Sequence, residues 1–323
     1  MVSRRRAGAS LLRGKTTRPA VAEGPQRLES VRGLLERHGL RPSRRRGQSF
    51  LVQPGIAERI ARAAEVPPGG SVIEIGPGLG ILTRALAPLC RQLACIEVDS
   101  KLVRILREEG NLPPHVEVIE ADALEVDYGA LARRLEGDVI VVANLPYAIS
   151  TPILFRLMEA RASLQRWVLM FQREVGDRIL ARPGSKAYGT LSVPLQLFFQ
   201  VRRLFTVARA NFHPKPEVDS TVLRFDRRER PPATVLDPAL FERVVREAFG
   251  RRRKILGNAL SALTAETGLV PFEAAGIDPA RRGETLTPEE FARLVHAFAR
   301  AGVGAGARGA EKKAGGASRR PRG

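Results

Sequence analysis

Short apolar runs alternate with segments of helical periodicity between residues 55 and 182. The apolar runs, five or six residues each, are 71–75, 92–97, 116–120, 138–143 and 167–171. Segments with apolar residues at helical spacing lie at 79–89, 100–109, 151–160 and 173–181. This alternation predicts an α/β fold with a doubly wound, mostly parallel sheet and helices on both faces.

The pattern changes after residue 188. A helix is predicted at 191–200, and strand-like segments at 201–207 and 221–225 should complete the sheet as antiparallel strands. After Pro231-Pro232 only helical patterns remain, at 238–249, 254–264 and 288–300, which predicts a small C-terminal helical domain. The expected organisation is an N-terminal extension at 1–45, an α/β domain at 46–230, a helical domain at 231–300 and a tail at 301–323.

Positive charge is concentrated at the two ends of the 323-residue chain, whose formal net charge is +19. Residues 1–46 carry 13 Lys and Arg against three Glu, and residues 301–323 carry six against one. Basic, disordered extensions around a nearly balanced body favour a polyanionic partner such as nucleic acid. Solubilising tails are the alternative for both ends, and an organelle presequence is a further alternative for the N-terminal one.

Cysteine and histidine usage argues against disulfide or metal chemistry. The two cysteines, Cys90 and Cys95, make neither a disulfide framework nor a zinc site, and the four histidines are scattered. No apolar stretch approaches the roughly 18 residues of a membrane span. We therefore expect a cytoplasmic protein that binds neither metal nor membrane.

A glycine-rich turn, Glu74-Ile75-Gly76-Pro77-Gly78-Leu79-Gly80, follows the first predicted strand of the sheet. Glycines there let the backbone approach a ligand closely. A dinucleotide-binding motif would place its third glycine at position 81, which is Ile81, so a nicotinamide cofactor is disfavoured. The Glu-x-Gly-x-Gly-x-Gly pattern resembles the first motif of methyltransferases that use S-adenosylmethionine.

Two carboxylates follow the next two strands. Glu97 ends the second strand, 21 positions after Gly76, and Asp122 comes just after the third. Either could be a solvated loop residue or a helix cap. Because ligands of open α/β sheets bind at the carboxyl ends of the strands, the pair also fits a nucleoside, with Glu97 on the ribose hydroxyls and Asp122 on an adenine amine.

The fourth strand runs into Asn144-Leu145-Pro146-Tyr147. The Asn144 side-chain oxygen and the Pro146 carbonyl could both accept hydrogen bonds from an exocyclic amine, and Tyr147 could stack on the base that carries it. An ordinary turn leaving a buried strand is the alternative. The segment lies on the same sheet edge as the glycine turn. It therefore predicts that hydrogen-bond acceptors for an amine lie beside a methyl donor.

Taken together, residues 46–300 resemble the ribosomal RNA adenine dimethyltransferase family, and within it the small-subunit enzymes that modify two adjacent adenines near the RNA 3′ end. Besides the motifs above, the resemblance rests on Gly47-Gln48-Ser49-Phe50-Leu51, on the segment 211–220 from Asn211 to Ser220, and on Arg251-Arg252-Arg253-Lys254. It implies a Rossmann-like, S-adenosylmethionine-dependent methyltransferase fold. The cofactor contacts it implies are Gln48, Ser49, Leu51, Gly76, Gly78, Glu97, Asp122, Ala123 and Asn144.

The resemblance also implies an adenine pocket and an RNA surface. Phe212 matches the family's second aromatic, which with Tyr147 would hold a flipped adenine, although an ordinary core phenylalanine is the alternative. Lys215 could meet a phosphate. RNA contacts are expected from the cationic segment Arg251, Arg252, Arg253 and Lys254, which we interpret as opening a helix; a solvated helix start is the alternative. Ser49 departs from the family pattern, which usually has asparagine there.

The implied reaction is direct attack of the adenine amine on a sulfonium methyl group, without a covalent enzyme intermediate. The expected partner is small-subunit (16S) rRNA in an assembling 30S particle, met by a monomeric enzyme. Two other hypotheses stay open: a ribosome-assembly or transcription factor that has lost transfer activity, and a methyltransferase acting on adenines of large-subunit RNA or DNA.

Overall fold

The computed structural model describes residues 31–43, 47–251 and 253–304. Residues 1–30, 44–46 and 305–323, together with Arg252, lie outside the described residues, so the tail and most of the N-terminal extension are untested. The expectation that the N-terminal extension is disordered is wrong for residues 31–43. They contain a helix, and its Val31 and Leu35 are buried against the body of the protein.

Nine strands occur in the described part of the chain. They are β1 (Phe50–Leu51), β2 (Ser71–Ile75), β3 (Leu93–Glu97), β4 (Val116–Glu120), β5 (Val139–Asn144), β6 (Arg166–Gln172), β7 (Phe199–Val207), β8 (Phe212–His213) and β9 (Ser220–Arg227). Seven of them form one sheet in the order β4-β3-β2-β5-β6-β9-β7, and β1 pairs with β8 in a separate two-stranded sheet. Strands β2 to β6 pair in parallel, and β9 is antiparallel to both β6 and β7. The predicted doubly wound sheet ending in antiparallel strands is confirmed.

Thirteen α-helices lie within the same described residues. They are α1 (Val31–Arg37), α2 (Pro54–Ala63), α3 (Ile81–Leu86), α4 (Ser100–Glu109), α5 (Tyr128–Arg134), α6 (Ser150–Glu159), α7 (Arg173–Ile179), α8 (Ser192–Phe198), α9 (Pro238–Gly250), α10 (Leu256–Ala259), α11 (Ser261–Thr267), α12 (Val270–Ala275) and α13 (Pro288–Arg300). No helix among them is long and apolar enough to cross a membrane.

Side chains of alternate residues on each parallel strand enter different cores, as the twofold period of a strand requires. Ile73 and Val141 pack on one face with α5, α6, α7 and α8. Their neighbours Val72 and Ile140 pack on the other face with α2, α3 and α4. Both faces are therefore covered, which explains why these strands are almost continuously apolar.

Two predicted helices end early or divide at a residue that becomes buried. The helix predicted at 191–200 ends at Phe198, because Phe199 enters the sheet and its ring lies 4.1 Å from that of Trp167. The helix predicted at 254–264 is divided between α10 and α11 at Leu260, which is fully buried in the C-terminal core. In both places burial of a side chain outweighs local helical preference.

The C-terminal helices share an apolar cluster with earlier residues. Phe272, Phe291 and Phe298 of this cluster are fully buried, and Tyr188 and Val193 from the α/β part join them. The helical part therefore packs directly on the loop before α8. The division at residue 231 stays a prediction, since packing alone does not separate the two parts.

Candidate cofactor and adenine site

A cavity of about 1260 Å³ opens at the carboxyl ends of the parallel strands. It lies where β2 has β3 on one side and β5 on the other, the switch point at which open α/β sheets bind ligands. The nine residues predicted to bind the cofactor all line it: Gln48, Ser49, Leu51, Gly76, Gly78, Glu97, Asp122, Ala123 and Asn144. Pro146 and Tyr147 line the same cavity.

The turn after β2 is built from glycines in the left-handed region. Gly76, Gly78 and Gly80 have φ angles of 68°, 59° and 78°, which residues with a side chain adopt at a cost. A Cβ atom on Gly78 would lie 3.0 Å from the Phe50 ring, and one on Gly80 would lie 2.7 Å from a Leu106 methyl group. The turn therefore presents bare backbone to the cavity, as close approach to a ligand requires.

Glu97 is held in place by the backbone. One oxygen accepts from the Gly78 N–H at 3.2 Å, and the other accepts from the N–H groups of Val98 and Asp99 at 3.0 Å each. The residue is only 6% exposed, and burial raises the pKa of its carboxyl while these hydrogen bonds oppose the rise. The oxygen bonded to Val98 and Asp99 has both lone pairs in use, whereas the oxygen bonded to Gly78 keeps one lone pair for a ligand hydroxyl.

Asp122 lies in the loop after β4. Its side chain accepts from the Leu124 N–H at 2.9 Å, and the residue is exposed, whereas Ala123 beside it is buried. Asp122 is therefore an exposed loop residue, one of the alternatives expected from the sequence, and its hydrogen bond closes a local turn rather than capping a helix. The same hydrogen bond fixes the carboxylate at the cavity wall, so the two interpretations of Asp122 are compatible.

The segment before α2 closes one side of the cavity by hydrogen bonds within the protein. The Gln48 side-chain oxygen accepts from the Ser43 N–H at 2.9 Å. The Ser49 hydroxyl donates to the Pro214 carbonyl at 2.8 Å. Strand β1 pairs Leu51 with Phe212. Gln48 and Ser49 thus form cavity wall, with the Gln48 side-chain oxygen and the Ser49 hydroxyl hydrogen already bonded within the protein, and their predicted contacts with a cofactor stay untested.

Asn144 and Pro146 lie where β5 ends. The Asn144 amide nitrogen donates to the Ser49 carbonyl at 3.4 Å, which leaves the amide oxygen as the acceptor of that side chain. The Pro146 carbonyl accepts from the Ile149 N–H at 3.1 Å and keeps a second lone pair. Two acceptors suited to an amine therefore lie on one turn beside the glycine loop.

The two predicted aromatic residues are placed differently. Tyr147 lines the cavity, its hydroxyl lies 3.0 Å from the Ser220 hydroxyl, and burial raises its pKa. Phe212 is 4% exposed, packs in the core on the α2 side of the sheet, and does not line the cavity. Tyr147 therefore lies at the site, whereas Phe212 is buried behind the cavity wall. Stacking of Phe212 on an adenine stays a prediction, and it would require the Phe212 ring to move.

The cationic segment lies apart from this cavity. Arg251, Arg253 and Lys254 are exposed in the connection that leaves α9, and the next helix begins only at Leu256. Their interpretation as the opening of a helix is therefore corrected. They follow the C-terminal end of α9, where the helix dipole favours cations. Lys215 is exposed as well and lies outside the residues that line the cavity.

Sequence reasoning did not single out two parts of the wall. Glu74 of the glycine turn is 1% exposed, and one of its oxygens has no hydrogen-bond partner among the described residues. Burial raises its pKa to about 7, and the other oxygen accepts from the Cys95 thiol at 3.5 Å. Val31 in α1 also lines the cavity, as do Gly39 and Leu40 shortly after the end of that helix. The apolar positions of α1 were a usable signal, whereas the burial of Glu74 was not visible in the sequence.

The doubly wound sheet with antiparallel final strands, the left-handed glycine turn and the carboxylate after β3 define a Rossmann-like methyltransferase. Among the described residues, no three His, Cys, Asp or Glu side chains are grouped so that they could hold a metal ion.

Comparison with known proteins defines the class more narrowly. A model of the family described as ribosomal RNA adenine dimethylase matches residues 40–300. Ribosomal RNA small subunit methyltransferase A of Moorella thermoacetica is 47% identical over 270 residues, which cover 81% of this chain and 94% of the relative. The protein of the same name from Myxococcus xanthus is 43% identical over 275 residues, which cover 84% and 96%.

Two solved structures are similar over most of the chain. A dimethyladenosine transferase from Plasmodium falciparum has a TM-score of 0.68 and 28% identity, and the match covers 79% of this chain and 98% of that one. The 23S rRNA methyltransferase ErmE has a TM-score of 0.58 and 28% identity, covering 77% and 99%. The chain belongs to the ribosomal RNA adenine dimethylase family and is an rRNA adenine dimethyltransferase.

Proposed function

We propose that this enzyme transfers methyl groups from S-adenosylmethionine to the N6 amines of two adjacent adenines in the 3′-terminal hairpin loop of 16S rRNA. The product is N6,N6-dimethyladenosine at both positions. One observation carries the proposal: the amine acceptors Asn144 and Pro146 line the same cavity as Gly76 and Glu97. The small-subunit assignment is supported by relatives named for that subunit.

The residues of the cavity fit S-adenosylmethionine. Gly76 and Gly78 present backbone at the cavity wall, Glu97 offers an acceptor for a ribose hydroxyl, and Asp122 with Ala123 offers an acceptor and an apolar contact for adenine. Gln48, Ser49 and Leu51 would border the methionine side. When bound, the cofactor supplies an electrophilic methyl group on sulfonium sulfur.

The chain itself contributes position and hydrogen-bond acceptors. The N–H groups of the target amine would donate to the Asn144 oxygen and the Pro146 carbonyl, which favours a pyramidal, more nucleophilic nitrogen. The Tyr147 ring would hold the base by stacking. Correct alignment of donor and acceptor can supply about 7–11 kcal/mol of the barrier, so no strong base is needed for attack.

Dimethylation requires the same acceptors to work twice. At each transfer the amine nitrogen would gain a methyl group and then lose one proton to solvent. After the first transfer a single N–H remains, and either Asn144 or Pro146 can accept its hydrogen bond while the first methyl group takes up space in the pocket. The cavity of about 1260 Å³ leaves room for this change. The enzyme is proposed to act as a monomer in the cytoplasm on an assembling 30S particle, with Lys215 and the cationic segment on RNA phosphates.

The test is methyl transfer from labelled cofactor to assembled small subunits, free 16S rRNA and large subunits, followed by mapping of the modified positions. We expect label in two adjacent adenines near the 3′ end of 16S rRNA. Similarity to ErmE makes large-subunit rRNA the second candidate. Label confined to large subunits would favour that candidate and would refute the small-subunit proposal.

A further inference from the structure

A second cavity, of about 290 Å³, lies where α7, the loop before α8 and the end of α9 meet. Its walls include Arg178, Gly189, Thr190, Arg246 and Phe249. It shares no described lining residue with the methyl-transfer cavity. It is therefore a separate concavity, at the junction between the α/β part and the C-terminal helices.

Phe249 gives this cavity a fixed aromatic wall. Its ring centroid lies 5.8 Å from that of Tyr188, with an angle of 69° between the rings, and also 5.8 Å from that of Phe291. Aromatic pairs at these separations are stabilising and hold each other in orientation. Phe249 is half-buried, so part of its surface faces the cavity, and its contacts with Tyr188, which also lines the cavity, and with Phe291 hold the ring in place.

The other distinctive feature of the cavity is positive charge. Arg178 and Arg246 are both exposed, and no described residue that lines the cavity is acidic. The Glu242 carboxylate is 3.6 Å from Arg246, but both side chains are more than half exposed, so the ion pair is weak. Both guanidinium groups are therefore available to an anion.

The position of the cavity connects it with RNA. Gly250 closes α9 and lines the cavity, and Arg251 of the cationic segment follows at once. The cavity volume of about 290 Å³ is close to the roughly 300 Å³ lower bound for small-ligand pockets. A cavity of this size suits one base and is too small for an RNA helix. Unpaired RNA bases are recognised by stacking on aromatic rings, and guanidinium groups bind phosphate in planar pairs.

We propose that this cavity binds one unpaired nucleotide of the RNA substrate, at a point separate from the adenine that is methylated. The base packs against Phe249, and the flanking phosphates meet Arg178 and Arg246. The inference rests on the proposed RNA substrate. It adds a second, base-sized anchor that fixes the RNA relative to the methyl-transfer cavity.

The first test removes the charge with Arg178→Ala/Arg246→Ala and measures equilibrium binding to 16S rRNA over a range of salt concentrations. We expect about tenfold weaker binding and a log–log salt slope reduced by about 1.4, since each phosphate contact on single-stranded RNA contributes about 0.7. Arg104→Ala/Arg133→Ala, at exposed arginines on α4 and α5 outside both cavities, is the control with the same loss of two charges.

The second test fills the cavity and keeps the charge. A Cβ on Gly189 would have one neighbour within 4 Å, the Phe249 ring edge at 4.0 Å, so Gly189→Leu places a side chain against the aromatic wall. We expect weaker RNA binding with an unchanged salt slope and an unchanged melting temperature. Wild-type protein irradiated with 4-thiouridine-substituted 16S rRNA should crosslink within residues 187–192 or at Phe249, and Gly189→Leu should lose that crosslink.

The inference fails if Arg178→Ala/Arg246→Ala matches Arg104→Ala/Arg133→Ala in affinity and salt slope while wild-type protein methylates 16S rRNA. A wild-type protein that methylates no small-subunit RNA refutes the proposed function instead. Crosslinking elsewhere on the chain, with none at the cavity, also overturns the inference.

Discussion

Sequence motifs predict functional polar side chains in two regions: the cavity rim, which includes Glu97 and Asn144, and the cationic segment. The two regions hold these side chains differently. On the rim, Glu97 accepts three backbone N–H bonds, and Asn144 is tied to the Ser49 carbonyl. Arg251 and Lys254 are exposed and pair with no described carboxylate. Fixed geometry suits alignment of reacting atoms, whereas mobile charge suits affinity for a polyanion.

The largest effect is expected at Asn144. Asn144→Ala removes an acceptor for the target amine and should lower the methyl-transfer rate about 10²–10³-fold, the cost of losing one preorganised polar group in an active site. RNA binding should change little. Single-turnover methyl transfer and equilibrium RNA binding measure the two quantities.

Gln165→Ala is the matched control for Asn144→Ala. It also removes a side-chain amide, one that donates to Asp138 at 3.0 Å before β6, at the opposite end of the sheet. Its transfer rate should stay near that of wild type. If Asn144→Ala transfers methyl groups at the wild-type rate, the Asn144 side chain takes no part in catalysis.

The next effect concerns the pH dependence of stability. Glu74 has a pKa raised to about 7 by burial against an ordinary value of 4.5, so the folded state binds a proton that the unfolded state has lost between these pH values. Stability should fall as pH rises through this window, by about 3 kcal/mol in total relative to Glu74→Gln. Denaturant unfolding at pH 4.5, 6 and 8 measures it.

Glu117→Gln, at an exposed carboxylate on β4, should keep the pH dependence of wild type. If Glu74→Gln shows the same slope between pH 4.5 and 7 as wild type, the Glu74 carboxyl is not protonated in the folded protein. The rim would then contain a second fixed negative charge beside Glu97.

Neutralising the four cations, Arg251, Arg252, Arg253 and Lys254, to alanine should weaken RNA binding about tenfold and reduce the salt slope by about 3. A control with the same loss of charge replaces Arg62, Arg91, Arg133 and Arg300, all exposed. Salt titrations of binding compare the two variants. An unchanged slope in the first variant would show that this segment is an ordinary solvated surface.

The smallest effect is expected at Ser49. Ser49→Ala loses the hydroxyl bond to Pro214 and should cost about 1 kcal/mol of stability, with less than about a threefold change in KM for the cofactor. Ser185→Ala, which loses a local bond to Arg182, is the control. A tenfold rise in cofactor KM would mean that Ser49 contacts the cofactor directly.

The parallel sheet and the cofactor half of the site could be predicted because their signals are local. Most strands of the parallel sheet are apolar runs, and Gly76, Glu97 and Asp122 stand at or just after strand ends, so topology brings them to one edge. Helices α4 and α13 have the bounds predicted from their apolar spacing. The amine acceptors Asn144 and Pro146 were predicted from their turn with an ordinary strand exit as the alternative, and the family resemblance was needed to identify an RNA adenine and to add Phe212.

Features that depend on distant packing could not be predicted. The two-residue strands β1 and β8 carry no periodicity, and they exist because each is the other's partner. The burial of Phe212 and the raised pKa of Glu74 depend on which helices cover them. The sequence predicted that the cationic segment opens a helix, but α9 ends at Gly250 and the segment follows that end.

The pairing of β1 with β8 has a consequence for how the enzyme is made. Ser49 and Pro214, joined by a hydrogen bond, are separated by 165 positions. A nascent chain therefore cannot complete the cavity wall until residue 214 has left the ribosome, and contacts of such sequence separation form late in folding. A chain truncated before β8 would keep the glycine turn and Glu97 but lack both the partner of β1 and the sheet strand β9, so cofactor affinity should appear only after synthesis has passed these strands.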